Sequence, residues 1–462
     1  MTTDRTPGQK LLFAILIAAV LAVPLFTVYL LVYDRQSQSE TARGSIAEGW
    51  GGPQTIAGPL LVIPYQEQVT ELVQDNGRPV SRTSTVWREL TLAPEQAEIA
   101  SELRPERRRR SIYEAVVYEA TADGRARFRL PADLARFGVT PDRLALDRAE
   151  LRFGLSDARG LFGPPPRVGV DGRAVPLQPG KGPAATAGSG FFAWLDAGAI
   201  RARPIEVRFA YAFRGNARLT LDPQAGDTRW TVRSRWPHPS FGGGFLPTAR
   251  RVTDRGFVAT WRIGNLALGR ALVLTEPAAP ASGPGVAVPR SGGVDPAGTY
   301  EARVDLVTPV DLYSQVNRSV KYGFLFIGFT FMAFLLFDVV AGVRVAPAEY
   351  LLVGAGLVLF FVLLLAFAEV IGFTPAYLVA SGAIIALIAA YSAAVLRSRR
   401  RGAYVAALLA GLYAVLYILL SLEAYSLLIG SVLLFAALAS IMYLTRKLDW
   451  AGVRDRPLTD TD

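Results

Sequence analysis

Two hydropathy regimes divide this chain. Leu11 to Tyr33 is apolar apart from Thr27 and is interrupted once, by Pro24. From Asp34 to about Val320 no apolar run is long enough to cross a bilayer. Beyond that, between Tyr322 and Val343, the only charge is Asp338, and further apolar runs cover about 349–368, 375–396, 402–421 and 425–444. A run of roughly 20 apolar residues matches a hydrocarbon core about 30 Å thick. The pattern predicts six transmembrane helices. The first run exceeds the apolar core of about 7–15 residues found in a cleavable signal. Phe26, Tyr29, Leu30 and Tyr33 fill its far end, where a cleavage site needs small residues, so an uncleaved signal anchor is predicted.

The long polar region has a different period. Ile205, Val207, Phe209, Tyr211 and Phe213 alternate with Glu206, Arg208, Ala210 and Ala212, as in a half-buried strand. Trp230 and Val232 alternate with arginines and Thr231 in the same way. Leu60–Ile63, Ile112–Ala120, Ala126–Leu130, Leu151–Leu155 and Gly256–Ile263 are further strand candidates bounded by Gly, Pro, Asp and Asn. Short helices are expected around Pro131–Phe137, and the Pro/Gly-rich stretches Gln178–Gly190 and Pro277–Gly293 read as mobile loops. The fold class is a membrane α-helical bundle of six transmembrane helices plus a large, mainly antiparallel β extracytoplasmic domain. The expected divisions are 1–33 for the amino terminus and signal anchor, 34–320 for the β domain, 321–445 for a five-helix bundle, and 446–462 for a tail.

Charge sets the orientation. The net charge of +10 rests on arginine, since Lys10, Lys181, Lys321 and Lys447 are the only lysines. Arg344, Arg397–Arg401, Arg446, Lys447, Arg454 and Arg456 flank alternate ends of the apolar runs, whereas 369–374 and 422–424 carry only Glu369 and Glu423. Short basic loops stay cytoplasmic and long domains translocate regardless of charge. Both termini are therefore expected inside the cell and the β domain outside. These arginines are orientation signals, so no nucleic-acid partner is expected. There is no cysteine and one histidine, His238, which excludes disulfides and thiolate sites and disfavours a His-based metal site.

Several long motifs carry a resemblance. Trp50-Gly-Gly-Pro-Gln-Thr-Ile-Ala-Gly-Pro-Leu-Leu-Val-Ile-Pro-Tyr65 resembles the opening motif of the CreD family, bacterial inner-membrane proteins associated with cell-envelope integrity. Arg109–Tyr118, Gly154–Gly160, Trp236–Pro247 and Thr308–Tyr313 are similar to further family motifs, as are Tyr350–Gly354, Glu369–Phe373 and Met442–Trp450. Ser111, Asp338, Ala346 and Val370 depart from it, standing where glycine, glutamate and, twice, histidine are common. The resemblance implies envelope-stress tolerance under a two-component regulator, with altered sensitivity to β-lactams or colicins. It brings no catalytic residues.

The candidate sites each have a structural explanation. In Trp50–Pro64 the glycines precede an apolar strand, whereas a phosphate loop needs strand, glycines and then a helix, so a turn is favoured. Gly242–Gly244 reads as a tight turn among prolines. His238 could be a general base, but a packed or hydrogen-bonded ring is favoured. Arg107–Arg110 could grip acidic headgroups or cell-wall polymers, with a solvated charged face favoured. Asp338, Glu349, Glu369 and Glu423 would suggest an ion path only at the midplane. Asp338 and Glu349 fall near the inner edge and the other two in outer connectors, so capping and interface anchoring are expected. Between Val304 and Lys321 the last strand is expected to pass almost directly into the second span, with Leu312, Val316 and Val320 on one helical face. These features point to a non-enzymatic envelope protein without catalytic, metal or cofactor residues. Its expected partners are the lipid bilayer and cell-wall material or other envelope proteins. A transporter or channel subunit, or a membrane-anchored hydrolase, are the alternatives.

Overall fold

The computed structural model describes residues 7–75, 78–110, 113–276, 300–307, 312–340, 346–395, 398–421 and 426–446. The chain divides into two compact units, one of residues 42–309 and one of 1–41 with 310–462.

The β unit contains seventeen strands among the described residues. In chain order they are β1 (Gln54–Asp75), β2 (Arg78–Leu92), β3 (Gln96–Arg110), β4 (Tyr113–Phe128), β5 (Ala149–Leu155) and β6 (Arg167–Val170). β7 (Arg173–Ala174), β8 (Gln178–Pro179), β9 (Gly190–Leu195), β10 (Ile205–Asn216), β11 (Arg218–Asp222) and β12 (Asp227–Ser234) follow. The last are β13 (Pro239–Gly243), β14 (Ala249–Thr253), β15 (Gly256–Gly264), β16 (Val273–Glu276) and β17 (Ala302–Leu306). One sheet runs β13-β17-β11-β1-β5-β9-β8, with β2 on β1 and β16 on β2; the other runs β14-β15-β12-β3-β4-β10-β6-β7. The pairs β1·β11 and β3·β12 are parallel and the other described pairs are antiparallel.

Alternation makes this a sandwich. Along β10 the residues Ile205, Val207, Phe209, Tyr211 and Phe213 are buried, and they share one core with Phe153 of the other sheet. The Phe153 ring lies 5.4 Å from Phe209, and Phe241 of β13 lies 5.7 Å from Trp261 of β15, so rings from both sheets meet edge to face. Trp230 and Trp261, directly paired across β12 and β15, are fully buried.

Two expectations for this unit change. Ala126–Leu130 and the described part of Ile112–Ala120 lie largely in one long strand, β4. Gln178–Gly190 is built structure: β8 pairs with β9, and buried Thr186 donates its hydroxyl to the Ser189 carbonyl at 2.6 Å. Its glycines permit close approach; a Cβ on Gly182 would stand 2.9 Å from Thr186 Oγ1. Pro277–Gly293 lies outside the described residues.

The helices are α1 (Pro7–Glu48), α2 (Asn265–Leu268, within the β unit), α3 (Leu312–Lys321), α4 (Gly323–Val340), α5 (Pro347–Ile371), α6 (Phe373–Val395), α7 (Arg399–Ser421) and α8 (Ser426–Thr445). Among the described residues four helical stretches are long and apolar enough to cross a membrane: Leu11–Ile46, Pro347–Ile371, Phe373–Val395 and Arg399–Leu420. α4 and α8 are apolar helices at the places expected for the second and sixth spans.

α1 is the main departure, since it continues well past the apolar run that ends at Tyr33. Residues 34–48 are polar but rich in helix formers. Gln38 donates to Asp34 at 2.8 Å and Gln36 to Glu40 at 3.4 Å, both four residues apart. Gly49, Gly51 and Pro53 then end it. Small residues seat α1 in the helical unit: a Cβ on Gly323 would stand 2.9 Å from Leu25. α3 buries Tyr313, Val316, Ser319 and Val320, while Leu312, expected on that face, is half-buried. β17 ends at Leu306, and 308–311, where strand was expected to meet helix, lie outside the described residues.

Candidate functional site

Three of the motifs singled out from the sequence meet at Gln54. Pro53 has no N–H to give to a ladder, so β1 begins one residue later, at Gln54, whose side chain is wholly buried. Its Nε2 donates to the carbonyl oxygens of Asp157 at 3.1 Å and Arg214 at 2.9 Å. Its Oε1 accepts from the Asp157 backbone N–H and the Ser156 hydroxyl, both at 3.2 Å. The Thr55 N–H donates to Ser156 Oγ at 2.9 Å. Glycines clear the space: a Cβ on Gly160 would stand 2.6 Å from the Arg214 carbonyl oxygen and from Gln54 Nε2. Gly51, at φ +110°, would meet the same carbonyl at 2.9 Å.

Asp157 closes the next turn. Its Oδ1 accepts from the Arg159 backbone N–H at 3.0 Å, capping the short 3-10 turn Ala158–Gly160. The Arg159 guanidinium adds bonds of 3.0 and 2.8 Å. These contacts, the guanidinium hydrogen bond first, hold the Asp157 carboxyl below the usual carboxylate range.

Arginines and rings cover the flank of this junction. Trp50 donates its indole N–H to the Tyr118 carbonyl at 3.3 Å, while Arg108 and Arg214 lie 3.9 and 4.2 Å from its ring. Arg214 also lies 4.6 Å from Phe162 and pairs with Glu119 at 3.1 Å. Buried Tyr118 donates its hydroxyl to the Arg218 carbonyl at 2.7 Å, and burial pushes its phenol above the usual range. The polar groups of this junction are engaged with one another. Chemically it is a lock between distant segments, with Ser156 hydrogen-bonded on each side and no imidazole among its partners.

The other expected positions lie apart from it. His238 is exposed; its backbone carbonyl accepts from Val307, and its ring makes no hydrogen bond or ion pair among the described residues, so the packed or bonded ring is not what forms. Gly242 and Gly243 are strand residues of β13 paired with β17 rather than a tight turn. A Cβ on Gly242 would stand 2.7 Å from the Arg303 guanidinium, so glycine serves close approach there. Arg107, Arg108 and Arg109 are exposed but engaged separately, with Trp236 at 5.4 Å, Trp50 at 3.9 Å and Glu114 at 3.0 Å. Arg110 has no described side chain.

In the helical unit Glu349 caps α5, accepting from the Ala346 N–H at 3.0 Å while its own N–H donates to the Ala346 carbonyl at 2.9 Å. Glu369 lies in the last turn of α5 rather than in a connector. It accepts from the Tyr313 hydroxyl at 3.1 Å and lies 3.9 Å from Arg35 Nε, with 13% of its side chain exposed. A carboxylate at a helix C-terminus opposes the helix dipole, and Arg35 offsets that. Asp338 lies in α4 without a described side chain, and Glu423 lies outside the described residues.

Comparison with known proteins decides the family. The family model described as "Inner membrane protein CreD" matches residues 6–451. This chain belongs to the CreD family. A CreD relative, "Inner membrane protein CreD" of Escherichia coli (strain K12), is 31% identical over 440 residues, which cover 93% of this chain and 91% of the relative. The matched range takes in the whole β unit of this CreD-family chain and residues 6–41 and 310–451 of the helical one.

Sequence reasoning missed the residues that organise both clusters. Gln54 was legible only in part: it precedes Ile56 on the inward face of β1, and a polar residue there signals a buried hydrogen-bonding node. Tyr313 and Glu369 lay in two separate motifs and Arg35 in none; nothing local linked them, because Glu369 is 334 residues from Arg35 and 56 from Tyr313.

Proposed function

We propose that this chain is a non-enzymatic inner-membrane protein that supports or senses cell-envelope integrity. It crosses six times, through α1 as an uncleaved anchor and through α4 to α8, with both termini cytoplasmic and the β unit in the periplasm. The arginines at 397–401 and 446 favour that orientation, because short basic connectors stay inside. The exposed apolar side chains of α8, among them Val432, Phe435 and Leu438, suit contact with lipid.

The observation that carries the non-enzymatic reading is the saturation of the Gln54 junction. An active site leaves a nucleophile, base or oxyanion donor free to meet substrate. Here the motif residues bond one another, as suits a domain built to keep its shape while it contacts wall material or envelope proteins. The family's envelope-stress and β-lactam tolerance follows from such contact.

The test is photo-crosslinking of the full-length protein in cells lacking their own copy. Photoreactive residues replace Trp87 and Trp194, which are 46% and 57% exposed. Adducts with wall material or envelope proteins that increase under β-lactam stress are expected. Absence of adducts, together with loss of a measurable turnover or vesicle transport on a single substitution, would overturn the reading.

A further inference from the structure

On the outer face of the second sheet, a surface cavity of about 430 Å³ is lined by Arg104, Arg233, Arg235, Arg251 and Arg255, with Glu102 as its one acid. Register brings these residues together from distant parts of the chain. Glu102 on β3 pairs with Arg233 on β12, Arg233 with Val258 on β15, and Val258 with Arg251 on β14. Val258 is 39% exposed, so this row points to solvent. Adjacent strands are about 4.8 Å apart, which puts the backbones of Arg233 and Arg251 about 10 Å apart. Arg104 and Arg235 lie two residues farther along the same face. Arg255 sits in the β14–β15 turn beside Asp254.

What distinguishes the cavity is its unspent charge. Arg104 lies 3.3 Å from Glu102, but Arg233, Arg235, Arg251 and Arg255 make no ion pair among the described residues. The neighbouring cavity sets three acids, Glu98, Glu206 and Asp227, against its five arginines, and leaves Arg208 and Arg229 without an ion pair among the described residues. There Arg125 pairs with Glu98 at 2.8 Å and Arg262 with Asp227 at 3.2 Å. Like charges held around a concavity repel each other, and an anion placed among them relieves that repulsion. Guanidinium forks match phosphate oxygens bidentately.

We propose that this cavity is a binding site for a ligand carrying two or more closely spaced phosphoryl groups. Four unpaired guanidiniums spread over about two strand spacings can hold two phosphoryl groups, whereas a single phosphate would leave most of them unused. Two sources share this chemistry: the headgroup of a diphosphorylated lipid, and a soluble or polymeric phosphate. The inference does not depend on the function proposed above.

The test uses the purified full-length protein in neutral detergent. Calorimetric titrations with tripolyphosphate and with cardiolipin-containing mixed micelles are compared, with phosphatidylcholine micelles as the blank. The native protein should bind at least one probe, and which one it binds names the source. Arg233→Gln with Arg251→Gln should weaken that binding about tenfold or more, since hydrogen bonds to charged groups are lost. The charge-keeping pair Arg233→Lys with Arg251→Lys should weaken it by about threefold, because only the fork is removed. Arg208→Gln with Arg229→Gln, equal in charge and lining the neighbouring cavity, should change it by less than about twofold. Should the Gln pair fail to fold, Arg235→Gln and Arg255→Gln singly decide, each expected to weaken binding by about threefold. Failure of the native protein to bind either probe overturns the proposal. So does equal weakening by the control pair, which would mean general attraction to a basic surface.

Discussion

The fully buried side-chain amide of Gln54 donates to the backbone carbonyl of Arg214, 160 residues away, across 2.9 Å. That bond ties the start of β1 to the end of β10, which belong to different sheets. Replacement by Ala strips partners from the Arg214 and Asp157 backbones. Gln54→Ala should therefore destabilise the β unit by about 2–4 kcal/mol. All tryptophans but Trp450 lie within residues 42–309, so denaturant unfolding of the full-length protein followed by tryptophan fluorescence reports on this unit. An unchanged midpoint would remove Gln54 from the account.

Gly160→Ala tests the space beside that amide. The added methyl would stand 2.6 Å from both the Arg214 carbonyl oxygen and Gln54 Nε2, and neither can retreat without breaking their bond. A loss of about 1–3 kcal/mol is expected from overpacking. Gly163→Ala is a poor control because its φ is +71°, whereas Gly264, with nothing closer than 3.7 Å, should tolerate Ala at little cost.

Acid should erase the effect of Asp157→Asn. The native carboxyl sits below its unfolded value, first through the guanidinium hydrogen bond of Arg159. Its stabilising contribution is therefore fully present above the unfolded value and is lost as pH falls through the folded one. The stability gap between native protein and Asp157→Asn should be widest near neutrality and shrink below about pH 4. Asp222 acts in the opposite sense, since burial raises it despite Arg270 at 2.7 Å. Comparing the two proteins at each pH cancels that contribution. A gap that stays constant from pH 7 to 3 would contradict the assignment.

Topology is testable with single thiols, because the native chain has none. Ser189→Cys and Thr374→Cys should react with an impermeant thiol reagent on intact spheroplasts, and Ser398→Cys should react only after lysis. Labelling of Ser398→Cys on intact cells would reverse the orientation.

Local periodicity made much of the fold legible, and distance hid the rest. The alternation from Ile205 to Phe213 lies within β10, and apolar runs marked α4 to α8 to within a few residues. Hydropathy reports burial rather than helicity, so it stopped at Tyr33 while α1 ran on through polar helix formers to Glu48. Glu369 was assigned to a connector because charge ended the apolar run, although the backbone stays helical until Gly372, at φ +82°. Glycine was read as a turn at Gly242 and Gly243, where it lets two strands approach. The parallel pairs and the Gln54 junction join segments about 100 to 165 residues apart, for which no local pattern exists.

The position of β17 has a consequence for how the β unit is made. Although nearly the last strand residues of the unit, Ala302–Leu306 lie between β11 and β13 inside the first sheet. β11 in turn lies parallel to β1, whose residues are among the first of the unit to be synthesised. Such distant pairings make chain closure slow. The first sheet cannot be completed until residue 306 has left the ribosome, so the preceding segment must spend the whole of its synthesis with unpaired strand edges. Folding of this unit is thus coupled to the end of its own synthesis, and a factor that shields nascent strands should raise its yield more than one that accelerates helix insertion.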